Sequence, residues 1–421
     1  MTARRGVIIG GGTGGTITAN RLRRTVPEHE LELTVVDPSD RHLYQPGLLF
    51  VPFGLADPDN LVRPRAAQLH HGIQYIRGAV DHVQIAENRV VLDDGRALDY
   101  DVLIVASGAV LLPEETEGLT GPLWNRDVFT FYDMAGAVAL RDALSRLERG
   151  HLVVNVVDMP IKCPVAPLEF CFLADWFLRE RGVRDAVDIT YVTPLDGAFT
   201  KPVASQRLGS MLQEKEISLV TEFNTGSVDA ERKLLVSYDE RDVPFDLAVV
   251  VPLHAGAPYV GRSEGLGDAV GFIPTDAHTL QSEAAPNIFA LGDAAGIPTS
   301  KAGSVTHFEG EVLVENVTRF LAGAPLDAGY DGHANCFIET GFSKAILIDF
   351  NYDTEPLPGH FPGRVGLPLL KESRLNHLGK LMFEWVYWHA LLPGYAIPGI
   401  GSDMPHSGKR VPAAAAQGGG P

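Results

Sequence analysis

Cysteine is scarce: Cys163, Cys171 and Cys336 are the three in 421 residues, and no two form a CxxC or CxxCH pair. That excludes a secreted disulfide scaffold, a thioredoxin-like dithiol and covalent haem, and it leaves no zinc signature, so no metal site is expected. Any chemistry shared between these thiols has to be assembled from distant positions. Positive charge is scarce too. Lys and Arg number 35 against 53 Asp and Glu, a formal net charge of -18, with no basic block. Phosphate backbones are held by clustered cations, so nucleic acid is not an expected partner. The chain reaches "GVIIGGG" after five residues, an apolar run that reads as a strand leading into a loop and not as the core of a signal peptide.

Glycine, by contrast, is abundant and patterned. "GVIIGGGTGGTITANRLRR" reads as a buried strand, a glycine loop and a helix turning Ala19 and Leu22 inward, and "LELTVVDPSD" follows as a second strand ending at Asp37. In such a βαβ unit Gly10, Gly12 and Gly15 let the backbone turn tightly and approach a pyrophosphate at the helix N-terminus. Asp37 stands twenty-two residues after Gly15, where an acid accepts from a ribose hydroxyl. The expected fold class is α/β. A composition 45% hydrophobic and 21% charged, at this length, suits two or three domains.

Two later stretches extend the nucleotide-binding unit. "DYDVLIVASGAVLLP" is a strand ending in a small-residue turn at Ser107 and Gly108, and "APNIFALGDAAGIPTSKAGSVTHFEGEVLVENVTRFL" is a strand, an acid-bearing turn at Gly292 and Asp293, and a helix. With the glycine loop, these resemble the two-dinucleotide-domain flavoproteins of the pyridine nucleotide-disulfide oxidoreductase superfamily. The resemblance implies two Rossmann-like dinucleotide-binding domains, FAD across the first, and Asp293 against its ribityl or pyrophosphate region.

The inserted unit opens with "RGHLVVNVVDMPIKCPVAPLEFCFLADWFLRERG", strand then helix, and "AVDITYVTPL" supplies its second strand. A chain taking electrons from NADH would carry GxGxxG at that first turn. Asn155, Asp158, Met159 and Pro160 stand there instead, and "YVTPL" ends without an acid for a ribose, so NADH binding is not expected. Cys163 occupies the same turn, ahead of a helix expected to start near Pro167. Near a helix N-terminus its thiolate is expected to be stabilised, the alternative being a buried, inert cysteine.

"KCPVAPLE" resembles the first redox-cysteine motif of the sulfide:quinone oxidoreductases, and "ANCFIETGFSKAILIDFNYDTEPLPGHFP" resembles the region carrying their second, here Cys336. "YQPGLLFVPFG" and "PTSKAGSVTHFE" are similar to the same family. The resemblance implies FAD-dependent oxidation of sulfide to sulfane sulfur or polysulfide. Cys163 and Cys336 would meet on one face of the flavin as a disulfide or sulfur-bridged pair, sulfide would attack a bridging sulfur, and the electrons would pass through FAD to membrane quinone. No cysteine stands beside "RHLYQPG", so FAD is expected to be noncovalent.

Further roles follow from the same resemblance. Glu169 matches an acid that manages protons near the thiols, the alternative being an exposed acid in a first helical turn. Lys301, in "PTSKAG", would lie near the flavin N1 and C2 carbonyl, the alternative being a surface lysine. His307 is either in that pocket or in the core. Cys171, among Phe170, Phe172, Leu173 and Trp176, reads as a small buried hydrophobe. The chain departs from the family in lacking a third cysteine around "LWNRDVFTFYDM" and a histidine after the "TP" of "TPLDGAFTKP".

"RLNHLGKLMFEWVYWHALLPG" places Leu375, Leu378, Leu381, Met382, Trp385, Trp388 and Leu392 at helical spacing, too short and too interrupted by charge to span a bilayer. With Arg374, His377 and Lys380 beside it, this amphipathic segment is expected to lie on a membrane surface, the cytoplasmic face being favoured; packing on the body or in a homo-oligomer is the alternative. The expected layout is 1–112 and 245–325 as the split FAD-binding domain, 113–244 as the second Rossmann-like domain, 326–411 as a C-terminal domain and 412–421 as a flexible tail. A flavocytochrome c type sulfide dehydrogenase subunit, a type II NADH dehydrogenase and a polysulfide-sensing flavoprotein stay open as rivals.

Overall fold

The computed structural model describes residues 3–397 and 400–410. Strand Arg4–Ile9 runs into α1 (Thr13–Thr25), and the chain returns along strand Leu31–Asp37. These strands lie side by side in a five-stranded parallel sheet, with Ile73–Arg77 outside Leu31–Asp37, and Val102–Val105 and then Ile288–Ala290 on the other flank. Val102–Val105 is apolar throughout and buried throughout, as a strand covered on both faces requires. The order reverses beside the first strand, and ligands of such sheets bind at that crevice, beyond the carboxyl ends.

A second parallel sheet has the order Val128–Phe129, Leu247–Val251, Gly150–Val156, Val187–Val192 and Ile217–Val220. Helices α2 (Met134–Arg146), α3 (Ala166–Glu180) and α4 (Pro202–Glu214) belong to this half of the molecule. One expected boundary is corrected here. Strand Leu247–Val251, assigned by the 244/245 boundary to the FAD-binding domain, is hydrogen-bonded in parallel to Gly150–Val156 inside the second sheet. Its five residues are an apolar run buried on both faces, and such a run fits either parallel sheet equally well when read alone. The return crossing comes just after it, where Leu253–Ala255 pairs antiparallel with Val110–Leu112.

After α5 (Gly303–Leu321), strands Ala334–Gly341 and Lys344–Phe350 form a hairpin turning at Phe342 and Ser343, and α6 (Arg374–Val386) packs on it. Helix α3 also packs against Ala334–Gly341. That contact joins the loop holding Cys163 to the strand holding Cys336. The Lys409 side chain, wholly buried, pairs with Asp349, which also bonds His333 Nε2 at 2.8 Å, so the chain is tied to the body as far as residue 410. The expected tail, 412–421, lies outside the described residues.

Candidate active site

Register pairs Ile9 with Val105 and Val105 with Ala290, so Gly10, Ala106 and Leu291 leave the first sheet side by side. A cavity of about 320 Å³ opens over these ends, and Gly10, Gly12, Asp37, Ser107, Gly108, Gly292, Asp293 and Lys301 all reach it. Gly15 lies beneath. A Cβ there would stand 1.8 Å from the Gly10 carbonyl oxygen, so the bare Cα lets α1 start against the turn. Gly10 has φ +97°, and its Cβ would meet the Ala106 carbonyl at 2.3 Å. A Cβ on Gly12 would find nothing within 4 Å, and α1 starts there without a side-chain cap. Bare backbone and free helix N–H groups are what a pyrophosphate needs.

Asp37 closes one end of the cavity, its carboxylate accepting from the Gly11 N–H at 2.7 Å and the Ser39 N–H at 2.9 Å. Arg65 stands 3.3 Å from it and also donates to the Gly11 and Ser39 carbonyls. At the other end burial raises the Asp293 carboxyl, opposed by the positive charges of Lys162 and Lys301. The Lys301 ammonium donates to the carbonyls of Asp293 at 2.8 Å and Ala295 at 3.0 Å and lies over the Phe272 ring. Ser107 Oγ bonds the Tyr259 hydroxyl at 3.2 Å, and Gly292, at φ +68°, donates its N–H to Glu309. His307 does not reach this cavity; it is buried beside Arg21 and Glu311.

A second cavity, of about 360 Å³, adjoins the first and is mostly apolar, walled by Tyr44, Phe50, Trp176, Phe337 and Phe383. Cys163 lines both cavities and Cys336 lines the second. Cys163 is held at φ +46°, a costly region for a residue with a Cβ, by bonds on both its peptide groups. Its N–H donates to the Lys301 carbonyl at 2.6 Å, and its carbonyl accepts from the Tyr132 hydroxyl at 3.2 Å and the Ala166 N–H at 2.9 Å.

The expected helix-stabilised thiolate is corrected. Burial pushes the Cys163 thiol up to about 12, with the Glu169 carboxyl adding to it, and raises Cys336 as well. Cys163 precedes the first residue of α3 by three positions, and loss of water outweighs the helix end. Both thiols are unbonded, and Cys171 is fully enclosed.

Glu169 is 1% exposed. Its carboxylate accepts from the Lys380 ammonium and from the Glu339 main-chain N–H at 2.8 Å, partners that offset the several kcal/mol a lone buried carboxylate would cost. Burial still raises its pKa, and Lys380 is raised by Glu169, Glu339 and Cys163 acting against burial. Glu339 is buried too and bonds His377 Nδ1 at 3.0 Å. Tyr132, Lys162, Glu339 and the inward role of Lys380 escaped the sequence reading; only the 3/4 spacing of His377, Lys380 and Glu384 marked the last.

That spacing inverts α6. His377, Lys380 and Glu384 line the second cavity, while Leu375, Leu378, Met382 and Trp385 point outward, Leu378 at 55% and Trp385 at 62% exposure. The expected apolar face is shorter than the sequence suggested. Trp388 and Leu392 are buried, because the helix gives way to a wider turn at Tyr387–Leu391 that docks on the first domain, the Tyr387 hydroxyl bonding His42 at 2.7 Å and Thr13 at 2.8 Å. His377 and Lys380 face inward and not toward an interface. Among the described residues, no helix is long and apolar enough to cross a membrane.

The pyridine nucleotide-disulphide oxidoreductase family profile matches residues 4–154. The chain is 27% identical to the mitochondrial sulfide:quinone oxidoreductase of Mus musculus over 396 residues, covering 92% of this chain and 86% of the relative. It is 28% identical to that of Dictyostelium discoideum over 395 residues, with the same coverage. The X-ray structure of the sulfide:quinone oxidoreductase from Aquifex aeolicus matches with a TM-score of 0.80 at 20% identity, over 93% of this chain and 92% of that one, which shows a shared fold. The cofactor is FAD, and the bare Gly12 face, the uncapped start of α1 and Asp37 fit it. On sequence along almost its whole length and on fold, the chain belongs to the sulfide:quinone oxidoreductase family.

Proposed function

We propose that this chain oxidises sulfide at Cys163 and Cys336 and delivers the electron pair to a quinone held in the apolar cavity. The observation carrying this reading is that Cys163 lines both the dinucleotide cleft and the apolar cavity, with Cys336 on the wall of the latter. Gly10, Gly12, Asp37, Ser107, Gly108, Gly292 and Asp293 hold the cofactor, and Lys301 sets a positive charge beside it. FAD, when bound, takes two electrons from sulfur and gives them to the quinone.

The residues divide the remaining work. In the oxidised pair, attack by HS⁻ on one sulfur forms a new S–S bond and breaks the bridge, leaving a persulfide on one cysteine and a thiolate on the other. Both thiols are raised by burial, so a departing thiolate needs a proton or a cation at hand. Lys380 supplies the cation, since its charge lowers both thiols, and Glu169, held by that ammonium and raised by burial, takes up the proton that the persulfide later releases. The turn that would cradle an NADH pyrophosphate is given over to Cys163, which supports sulfur and not nicotinamide as electron source.

The outward apolar face of α6, with Leu55 and Phe342 exposed at the cavity rim, supports a membrane surface as the place where a lipid-soluble acceptor enters. The test is anaerobic mixing of the yellow protein with sulfide and separately with NADH, followed by a short-chain quinone. Bleaching by sulfide, reversal by quinone and inertness to NADH are expected; bleaching by NADH with sulfide inert would sink the reading.

A further inference from the structure

The proposed reaction leaves a proton unaccounted for. HS⁻ yields sulfane sulfur, one proton and two electrons, whereas a quinone takes two electrons and two protons to become quinol. The sum, HS⁻ + Q + H⁺ → S⁰ + QH₂, draws one proton per turnover from water. Yet the rim of the cavity carries Leu55, Phe342 and Leu381, all exposed and apolar, and the outer face of α6 continues that surface. That proton needs a carrier among the side chains lining the cavity, where exposed Ser343 and half-buried Glu384 also stand.

Two side chains in that wall form a hydrogen-bonded pair. The Glu339 carboxyl is 2% exposed, and among the described residues its side-chain partner is His377, whose Nδ1 lies 3.0 Å from both carboxyl oxygens. His377 is itself 22% exposed, one turn into α6, and both residues line the cavity. Water reaches this end of the wall. The neighbouring Thr340 donates to Glu372 at 2.7 Å, and Lys344 donates to the same carboxylate at 3.0 Å, both pairs part-buried. Lys380 is differently engaged, on Glu169 and on the Phe337 carbonyl at 3.1 Å.

We propose that His377 and Glu339 form the proton relay to the quinone, His377 taking a proton from water and Glu339 holding it at the cavity wall. The inference rests on the function proposed above and names residues for its acceptor half. Imidazole is the side chain suited to exchange near neutral pH, and a buried carboxyl beside it is suited to carry a proton across a short apolar gap. Burial raises the Glu339 carboxyl, which favours its protonated form. The charged groups around this pair are Lys380 from α6 and Glu169 from α3, with the Lys344 and Glu372 pair beyond Thr340, so each cation is matched by an acid.

The test separates the two half-reactions in anaerobic stopped flow from pH 6 to 9, in the wild type, His377→Ala, His377→Gln and Glu339→Gln. Bleaching by sulfide should stay within about twofold of wild type in the His377 variants, while reoxidation by a short-chain quinone should slow about 100-fold in all three. Added imidazole should restore His377→Ala in part. His377→Gln should be as slow as His377→Ala, since an amide keeps a bond to Glu339 without moving a proton. Reoxidation of both His377 variants at the wild-type rate across the pH range would overturn the relay, as would recovery in His377→Gln with no response of His377→Ala to imidazole. A wild type that sulfide does not bleach would instead overturn the proposed function, and the relay with it.

Discussion

The Glu339 main-chain N–H donates to the Glu169 carboxylate at 2.8 Å, across 170 positions of sequence. One partner lies six residues after Cys163 and the other three after Cys336, so this bond, with Lys380 closing over it, fixes the two thiol-bearing segments against each other. Helix and strand could slide past one another on apolar contacts alone. A charge-assisted bond between buried groups sets one register.

Replacing Lys380 by methionine leaves Glu169 without its cation in a dry site, and removing one partner of such a pair costs about 3–5 kcal/mol. The same change removes the charge that lowers the Cys163 thiol. Urea unfolding should register the loss, and alkylation of the reduced protein by iodoacetamide should need higher pH in Lys380→Met. Unchanged stability would show that the ion pair contributes nothing.

The three cysteines should separate cleanly. Cys163→Ser and Cys336→Ser should each abolish bleaching by sulfide while the bound cofactor keeps its visible spectrum. Cys171→Ser should bleach at the wild-type rate yet unfold more easily, because a hydroxyl in that enclosed apolar site costs about 1–3 kcal/mol when unpaired. Loss of sulfide reactivity in Cys171→Ser alone would reverse these assignments.

Glycines of the first loop should differ in kind. Gly15→Ala drives a methyl into the Gly10 carbonyl, so the fold itself is expected to suffer, with less soluble protein and a lower Tm. Gly12→Ala meets no protein atom, so the apoprotein should keep its Tm while cofactor affinity drops about tenfold or more. Thermal scans of apoprotein and flavin titration distinguish the two; equal Tm losses would contradict the geometry.

Acid should unfold the protein through its buried imidazoles. Burial lowers His42 and His254 from 6.5 to about 4 and His307 to about 3. A folded value depressed below the unfolded one gives stability that is complete above pH 6.5 and is lost as pH falls through 4 for His42 and His254 and through 3 for His307. At about 1.4 kcal/mol per unit, each group contributes on the order of 3–5 kcal/mol at most. His307→Leu should therefore lose less stability between pH 7 and 5 than the wild type; an identical loss would exclude His307 as a contributor.

The sequence by itself determined what is local. A strand, a glycine turn and a helix are close neighbours along the chain, so Gly10, Gly12 and Asp37 could be read as one crevice, and the missing glycines after Gly150–Val156 could be read as a lost one. Tertiary structure decided what distance and burial control. Leu247–Val251 is apolar on both faces and fits either parallel sheet; only its hydrogen bonds assign it to the second. The periodicity of α6 separates an apolar stripe from a charged one without saying which is buried, and packing turned the charged stripe inward because Glu169 and Glu339 were already there to receive Lys380 and His377. Cys163 likewise reads as a reactive thiol at a helix start until the walls close around it, for a pKa answers to the water that folding removes, and no stretch of sequence records that.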